Sequence, residues 1–318
     1  MSIPALPGLG QDLGRRFTVT GALPVLAVVL TVLVELGAGA PAQPPSRQRL
    51  TQTLTSLTAG EWTLLVLVLI VGALLLQPLQ RPTVRLMEGY SLLQGPARLI
   101  GIPLLALWRR RWDRLELRQR VTEPNAADLP AMANAAARLR RLPRERDRLL
   151  PTRLGNTLRA AEDRPGDDYG LDVVAAWPLL YPLLPERTAA MVDDARDQLD
   201  TACRLSGAFA LMGVISAALL PLGWWTLLVL TMIALAVLAY RGAVHAAYAY
   251  GELVYAAVAL HRFDLLTALH LPLPDTPEQE RERFLTLSRQ LRQGWPGTKA
   301  YQHNPEHAGS VGSASQIS

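Results

Sequence analysis

The sequence has little of what usually announces an activity. It holds one cysteine, Cys203, in 318 residues. That excludes an intrachain disulfide and any zinc site built on cysteine. At the head of an apolar block, Cys203 reads as a buried, unreactive thiol. Lysine is nearly absent too: Lys299 is the only one among 32 basic side chains, and the rest are arginine. The bias fits a GC-rich bacterial genome better than selection for phosphate binding. There is no Walker loop, GxSxG elbow, Rossmann glycine fingerprint or HExxH pair, so nothing indicates nucleotide, serine-hydrolase or zinc-protease chemistry. No internal repeat is visible.

Charge is missing where the chain is most apolar. Phe17 to Val34, Trp62 to Gln80 and Leu205 to Tyr240 carry no charged residue. Half of the chain is hydrophobic, and those residues gather in blocks, which is the pattern of membrane spans rather than of a soluble core. At ~1.5 Å rise per residue, each of the first two blocks nearly crosses a ~30 Å hydrocarbon layer. Gly37 to Ala40 resembles a signal-peptidase site, but the long apolar run, Glu35 and Pro41 favour an uncleaved helix. Pro221-Leu222-Gly223 divides the third block and Trp224-Trp225 follow, which predicts a membrane hairpin with an aromatic belt at its tip; a re-entrant pair is the alternative. The fold class is therefore all-α, a polytopic membrane protein with about four transmembrane helices and a cytoplasmic helical region. No block has a charge near its centre, where transporters, proton pumps and voltage sensors need one. Glu35 is expected at the outer end of its helix, in reach of water.

The net charge of +5 is explained by where the arginines sit. The loop between the first two blocks holds only Arg47 and Arg49, and the hairpin tip holds none. Arg15, Arg16, Arg81, Arg85, Arg204 and Arg241 flank span ends on the other side. The positive-inside rule then puts both termini and the middle region in the cytoplasm of an inner, or plasma, membrane. The expected organisation is an N-terminal arm and two spans over 1–80, a cytoplasmic region with an interfacial helix over 81–204, the hairpin over 205–240, cytoplasmic helices over 241–293 and a disordered tail over 294–318. Within the cytoplasmic part, helices are expected at 128–142 and 187–204, and a charged helix at 277–293 with Phe284, Leu287 and Leu291 on its sticky side. The Pro- and Gly-rich stretch 151–185 is expected to be loop with short helical turns. A helix from Arg241 to about Leu271 is apolar on two faces, one through Val244, Tyr248, Val258 and Leu265 and one through Leu253, Leu260 and Phe263. The polar region or a second subunit has to cover it.

Leu99 to Trp108 is apolar but too short to span, and Arg109-Arg110-Arg111, Arg114, Arg118 and Arg120 follow. Trp108 and Trp112 are four apart, on one helical face. Trp108, Arg109, Arg110, Arg111, Trp112 and Arg114 are candidate contacts to anionic lipid headgroups, set against an ordinary juxtamembrane basic patch. Nucleic acid is not expected, for lack of a recognisable binding fold. Glu162, Asp163, Asp167, Asp168 and Asp172 read as a solvated turn rather than a cation site. His245 with Glu252, and His261 with Asp264, read as structural polar contacts; no metal and no cofactor is expected. Ser206 with Ala210, and Gly213 with Ala217, allow close helix packing.

Pro151-Thr152-Arg153-Leu154-Gly155-Asn156, Arg159-Ala160-Ala161-Glu162-Asp163, Tyr169-Gly170-Leu171-Asp172 and Trp177-Pro178 together resemble a motif of an uncharacterised family of bacterial multi-pass membrane proteins. The resemblance implies a membrane hairpin after the motif and carries no activity. Arg153 and Arg159 are expected to pair with Glu162, Asp163 or Asp172 as a structural polar lock. Three roles then compete: a non-enzymatic membrane anchor or scaffold with a cytoplasmic protein partner, a homo-oligomeric channel or permeabilising effector, and an interfacial lipid-acting enzyme.

Overall fold

The computed structural model describes residues 9–76, 80–120, 125–126, 128–221 and 223–293, with the side chains of 9–22 and 73–83 left out of the account. The expected tail over 294–318, and part of each of the first two expected spans, lie outside this description. All regular structure among the described residues is helical. The helices are α1 (Leu9–Gly37), α2 (Arg47–Ser56), α3 (Ala59–Leu76), α4 (Gln80–Glu88), α5 (Arg98–Gln119), α6 (Leu129–Leu139), α7 (Arg153–Tyr169), α8 (Val173–Leu180), α9 (Glu186–Leu219), α10 (Thr226–Ala268) and α11 (Pro277–Gln293).

The helix ends have local causes. Ser46 caps α2 by accepting from the Arg49 amide at 3.2 Å. Before α3, Thr58 and Glu61 form a capping box: the Glu61 carboxylate accepts from the Thr58 amide at 2.7 Å, and the Thr58 hydroxyl accepts from the Glu61 amide at 3.4 Å. Asp172 caps α8 by accepting from the Ala175 amide at 3.3 Å. The turn between α9 and α10 holds Pro221 and Gly223, the latter at φ 132°.

Two helices, α9 and α10, are long and apolar enough to cross a membrane. A third candidate is α2 with the first part of α3, which meet at 111°. The count among the described residues is therefore two or three, below the four expected. The shortfall is partly one of extent, since α1 offers only Leu23–Gly37 as described apolar length. These helices turn apolar side chains outward. Leu64, Leu67 and Ile70 of α3, Val214 of α9, and Leu227, Leu230 and Leu238 of α10 are exposed. Such a surface suits lipid rather than water.

The chain divides into two compact units. One comprises Met1–Leu104, Pro151–Gly155 and Arg196–Ala247; the other comprises Leu105–Leu150, Asn156–Ala195 and Tyr248–Ser318. Four helices (α5, α7, α9 and α10) contribute residues to both. At ~1.5 Å per residue, the 43 residues of α10 run about 65 Å, twice a ~30 Å hydrocarbon layer.

In the first unit, α1 meets α9 where the Thr31 hydroxyl contacts the Met212 sulfur at 3.3 Å. The Ser206 hydroxyl of α9 donates to the Ala236 carbonyl of α10 at 3.0 Å. In the second unit the core is continuous across α8, the start of α9, the end of α10 and α11. It contains Leu171, Ala176, Leu180, Val192, Val258, Leu265, Leu266 and Phe284. A smaller cluster joins α5 and α6 through Leu115, Ala135, Leu142 and Leu149.

One sequence expectation fails here. The stretch 151–185 is not loop: α7 runs for 17 residues through Pro165, and α8 contains Pro178. Pro165 costs α7 one backbone hydrogen bond, but it is buried, and its packing offsets that loss. Gly170, at φ 81°, ends the helix in the left-handed region. α7 also lies close to α10, because a Cβ on Gly251 would come within 2.5 Å of the Ala161 Cβ.

Candidate functional site

The motif residues converge on a charged cleft of about 400 Å³ in the second unit, lined in part by Arg144, Arg148, Asp163, Asp167, Asp172 and Arg292. α7 supplies Asp163 and Asp167, the turn after it supplies Asp172, and α11 supplies Arg292.

Asp163 is held by both arms of the Arg148 guanidinium, at 2.8 and 2.5 Å. This two-pronged geometry is the strongest arrangement open to a guanidinium and a carboxylate. Donating to the Asp163 carboxylate in turn holds the Arg148 pKa above its usual value. Asp172 does three jobs. One carboxylate oxygen caps α8, and the other pairs with Arg292. Its amide donates to the Ser288 hydroxyl at 2.8 Å. The same residue thus ties α8 to α11. Asp167 is partly buried in the same cleft, and that burial pushes its carboxyl pKa up against the opposing charge of Arg144.

Of the five residues expected to form the lock, Asp163 and Asp172 take partners that sequence reasoning missed, Arg148 and Arg292. Glu162 lines the same cleft. Arg153 belongs to the first unit and Arg159 to the second. The missed arginines carried no local signal. Arg292 lies 120 residues from Asp172, and Arg148 stood among many arginines.

The rest of the motif serves the fold. Asn156 is fully buried. Its amide donates to the Leu150 carbonyl at 2.8 Å, and its oxygen accepts from the Leu150 amide at 2.7 Å. That reciprocal pair closes the turn that begins α7. In the first unit the Thr152 hydroxyl donates to the Glu88 carbonyl at 2.8 Å, and the Leu154 amide donates to the Tyr240 hydroxyl at 3.1 Å. Burial raises the Glu88 pKa.

A seam of arginines and aromatic rings joins α7 to α10. The Arg164 guanidinium lies 3.8 Å above the Tyr255 ring and donates to Glu252 at 2.7 Å. Arg262 lies 4.4 Å from the Tyr169 ring and pairs with Glu280 at 2.6 Å. Tyr169 and Tyr255 stack with centroids 6.1 Å apart. A hydrogen bond with Tyr169 and one to Asp168 raise the Tyr255 pKa. Glu252 is thus engaged by α7. His261 and Asp264 bond each other at 2.8 Å. Among the described residues, no group of three or more His, Cys, Asp and Glu side chains is placed to hold a metal.

The candidate headgroup residues separate by role. Trp112 packs against the α5–α6 cluster and donates its indole N–H to the Pro143 carbonyl at 3.2 Å. Arg109 approaches Asp147 at 4.0 Å. Arg110 is exposed, and its carbonyl accepts from Arg114 at 3.3 Å. Trp108, Arg111 and Arg114 line a groove between α5 and α6.

No family model, no curated protein and no solved structure matches this chain.

Proposed function

We propose that the protein is a non-enzymatic membrane scaffold, whose cytoplasmic helical unit presents a surface to a protein partner. The observation that carries this reading is the covering of the second half of α10. Val254, Val258, Leu265 and Leu266 are buried against α8, α11 and the start of α9 in the same chain. The apolar faces of that helix were the main sequence argument for an oligomer, and the chain covers most of them by itself. A helical bundle that buries its own core suits display and docking. The two ion pairs in its cleft, Arg148 with Asp163 and Arg292 with Asp172, suit rigidity more than chemistry.

The reading includes four spans, with α1 and α3 completing the set, and both termini in the cytoplasm. Cysteine labelling tests the orientation. In a Cys203→Ser background, Thr51→Cys in α2 should react with an impermeant maleimide in intact cells. Glu278→Cys in α11 should react only after permeabilisation. The reverse pattern would overturn the orientation, and labelling of both sites in intact cells would overturn the membrane-spanning arrangement.

An oligomeric channel is the second reading, and one observation favours it. Glu35 is a carboxylate only 6% exposed within the first unit, and buried acids in spanning segments mark conduction or proton paths.

A further inference from the structure

Four arginines converge on the groove between α5 and α6, which encloses about 430 Å³. Arg111, Arg114 and Arg118 follow one another at three and four residues along one face of α5, and Arg138 faces them from α6. Its floor is apolar, made by Leu107, Trp108 and Leu115. Arg111 lies 5.3 Å from the Trp108 ring. No described acidic residue lines the groove.

The acids nearest in sequence are already engaged on other faces of α5. Asp113 accepts both arms of Arg146 at 2.8 and 3.2 Å, and Glu116 accepts from Arg120 at 2.6 Å. None of the four groove arginines forms an ion pair with a described residue. An ordinary juxtamembrane patch scatters its charges over a helix surface. Here four positive charges from two helices share one concave site over an apolar floor. The volume lies within the range of about 300–1,000 Å³ typical of ligand sites.

We propose that this groove binds a single anionic phospholipid. Its phosphate sits among Arg111, Arg114, Arg118 and Arg138. Its glycerol and first acyl carbons lie over Trp108, Leu107 and Leu115. Planar guanidinium groups suit phosphate oxygens, and the apolar floor selects a lipid over a free anion. The order of α5 agrees with this, since Leu99, Ile100 and Ile102 in its first turns are exposed and apolar while its second half is basic. The inference rests on the membrane reading and not on the scaffold role.

The test uses the full chain in phosphatidylcholine nanodiscs, alone or doped with phosphatidylglycerol or diphosphatidylglycerol, with lipid retention read by native mass spectrometry. The groove variant is Arg118→Gln/Arg138→Gln. The control is Arg120→Gln/Arg140→Gln, which removes the same charge from outside the groove. All four side chains are exposed, so folding is not at risk. Wild type and control should retain anionic lipid in preference to phosphatidylcholine, and the groove variant should lose roughly thirtyfold in affinity. Equal losses in the two variants would overturn the site in favour of diffuse attraction. Inorganic phosphate stabilising the protein as well as the lipid does would overturn the lipid assignment. A chain that enters nanodiscs but shows no lipid preference overturns the groove and leaves the membrane reading standing, whereas one that does not enter them removes the membrane reading itself.

Discussion

The Ser216 hydroxyl of α9 donates to a carboxylate oxygen of Glu35 in α1 at 2.5 Å. The second oxygen of Glu35 is buried without a hydrogen-bond partner. Near the end of its apolar run, Glu35 was expected to reach water. The fold encloses it instead, because α9 covers that side of α1. Losing Ser216 leaves both carboxylate oxygens buried without a hydroxyl. Ser216→Ala should therefore lower stability by about 1–3 kcal/mol. Glu35→Gln keeps an acceptor for Ser216 and removes a charge, so it should match or exceed wild type. Thermal unfolding in detergent reads both. Marked destabilisation by Glu35→Gln would mean that the charge itself is required.

The Arg148–Asp163 pair is the firmest contact of the motif cleft. Arg148→Ala should cost about 1–3 kcal/mol, because a largely buried carboxylate loses its two-pronged partner. Arg148→Lys should recover only part, since an ammonium cannot reproduce the fork. A double-mutant cycle with Asp163→Asn measures the coupling. A coupling near zero would remove the pair from the account.

Asp167 gives a pH dependence with a definite sign. Burial raises its folded pKa, so the folded state holds the proton more tightly than the unfolded chain. Stability is then fully present below the unfolded value of about 3.9 and falls as the pH rises towards the raised folded value. Asp167→Asn should be more stable than wild type at neutral pH, and the gap should close in acid. Denaturation of wild type and variant across pH checks this; a gap that widens in acid would contradict it.

Gly170 terminates α7 at φ 81°. A Cβ there would also lie 2.7 Å from the Arg281 carbonyl oxygen. Gly170→Ala should cost more than the ~1 kcal/mol of the left-handed backbone alone, with α11 loosened first. Hydrogen exchange of α11 amides reads the local effect, and unchanged protection would count against it.

Much of the helical layout was legible in the sequence, and the reasons differ by element. The break at Pro221 and Gly223 and the burial of Phe284 and Leu287 on α11 follow from local residue chemistry. α7 was not legible, because a proline inside a Pro- and Gly-rich stretch reads as a breaker unless its packing is known. Nor was the continuity of α9, although the helical pattern of α10 could be followed past Arg241. Hydropathy separates an apolar block from a polar one, but the backbone runs through the boundary without a break. Asp163 and Asp172 were read in a solvated turn and in a polar lock with Arg153 and Arg159; both are largely buried, and Arg148 and Arg292 reach them from elsewhere in the chain. Glu35 was misplaced because burial by a distant helix leaves no trace in the local pattern.

The central claim is that this chain covers most of the apolar surface on the second half of α10 by itself and therefore needs no oligomer to bury it. Light scattering on the nanodisc-embedded protein, with bilayer conductance on the same sample, tests this most directly. The account predicts a monomer or dimer with no conductance. A fixed assembly of four or more subunits that conducts ions would contradict it, and would put Glu35 at the centre of a different mechanism.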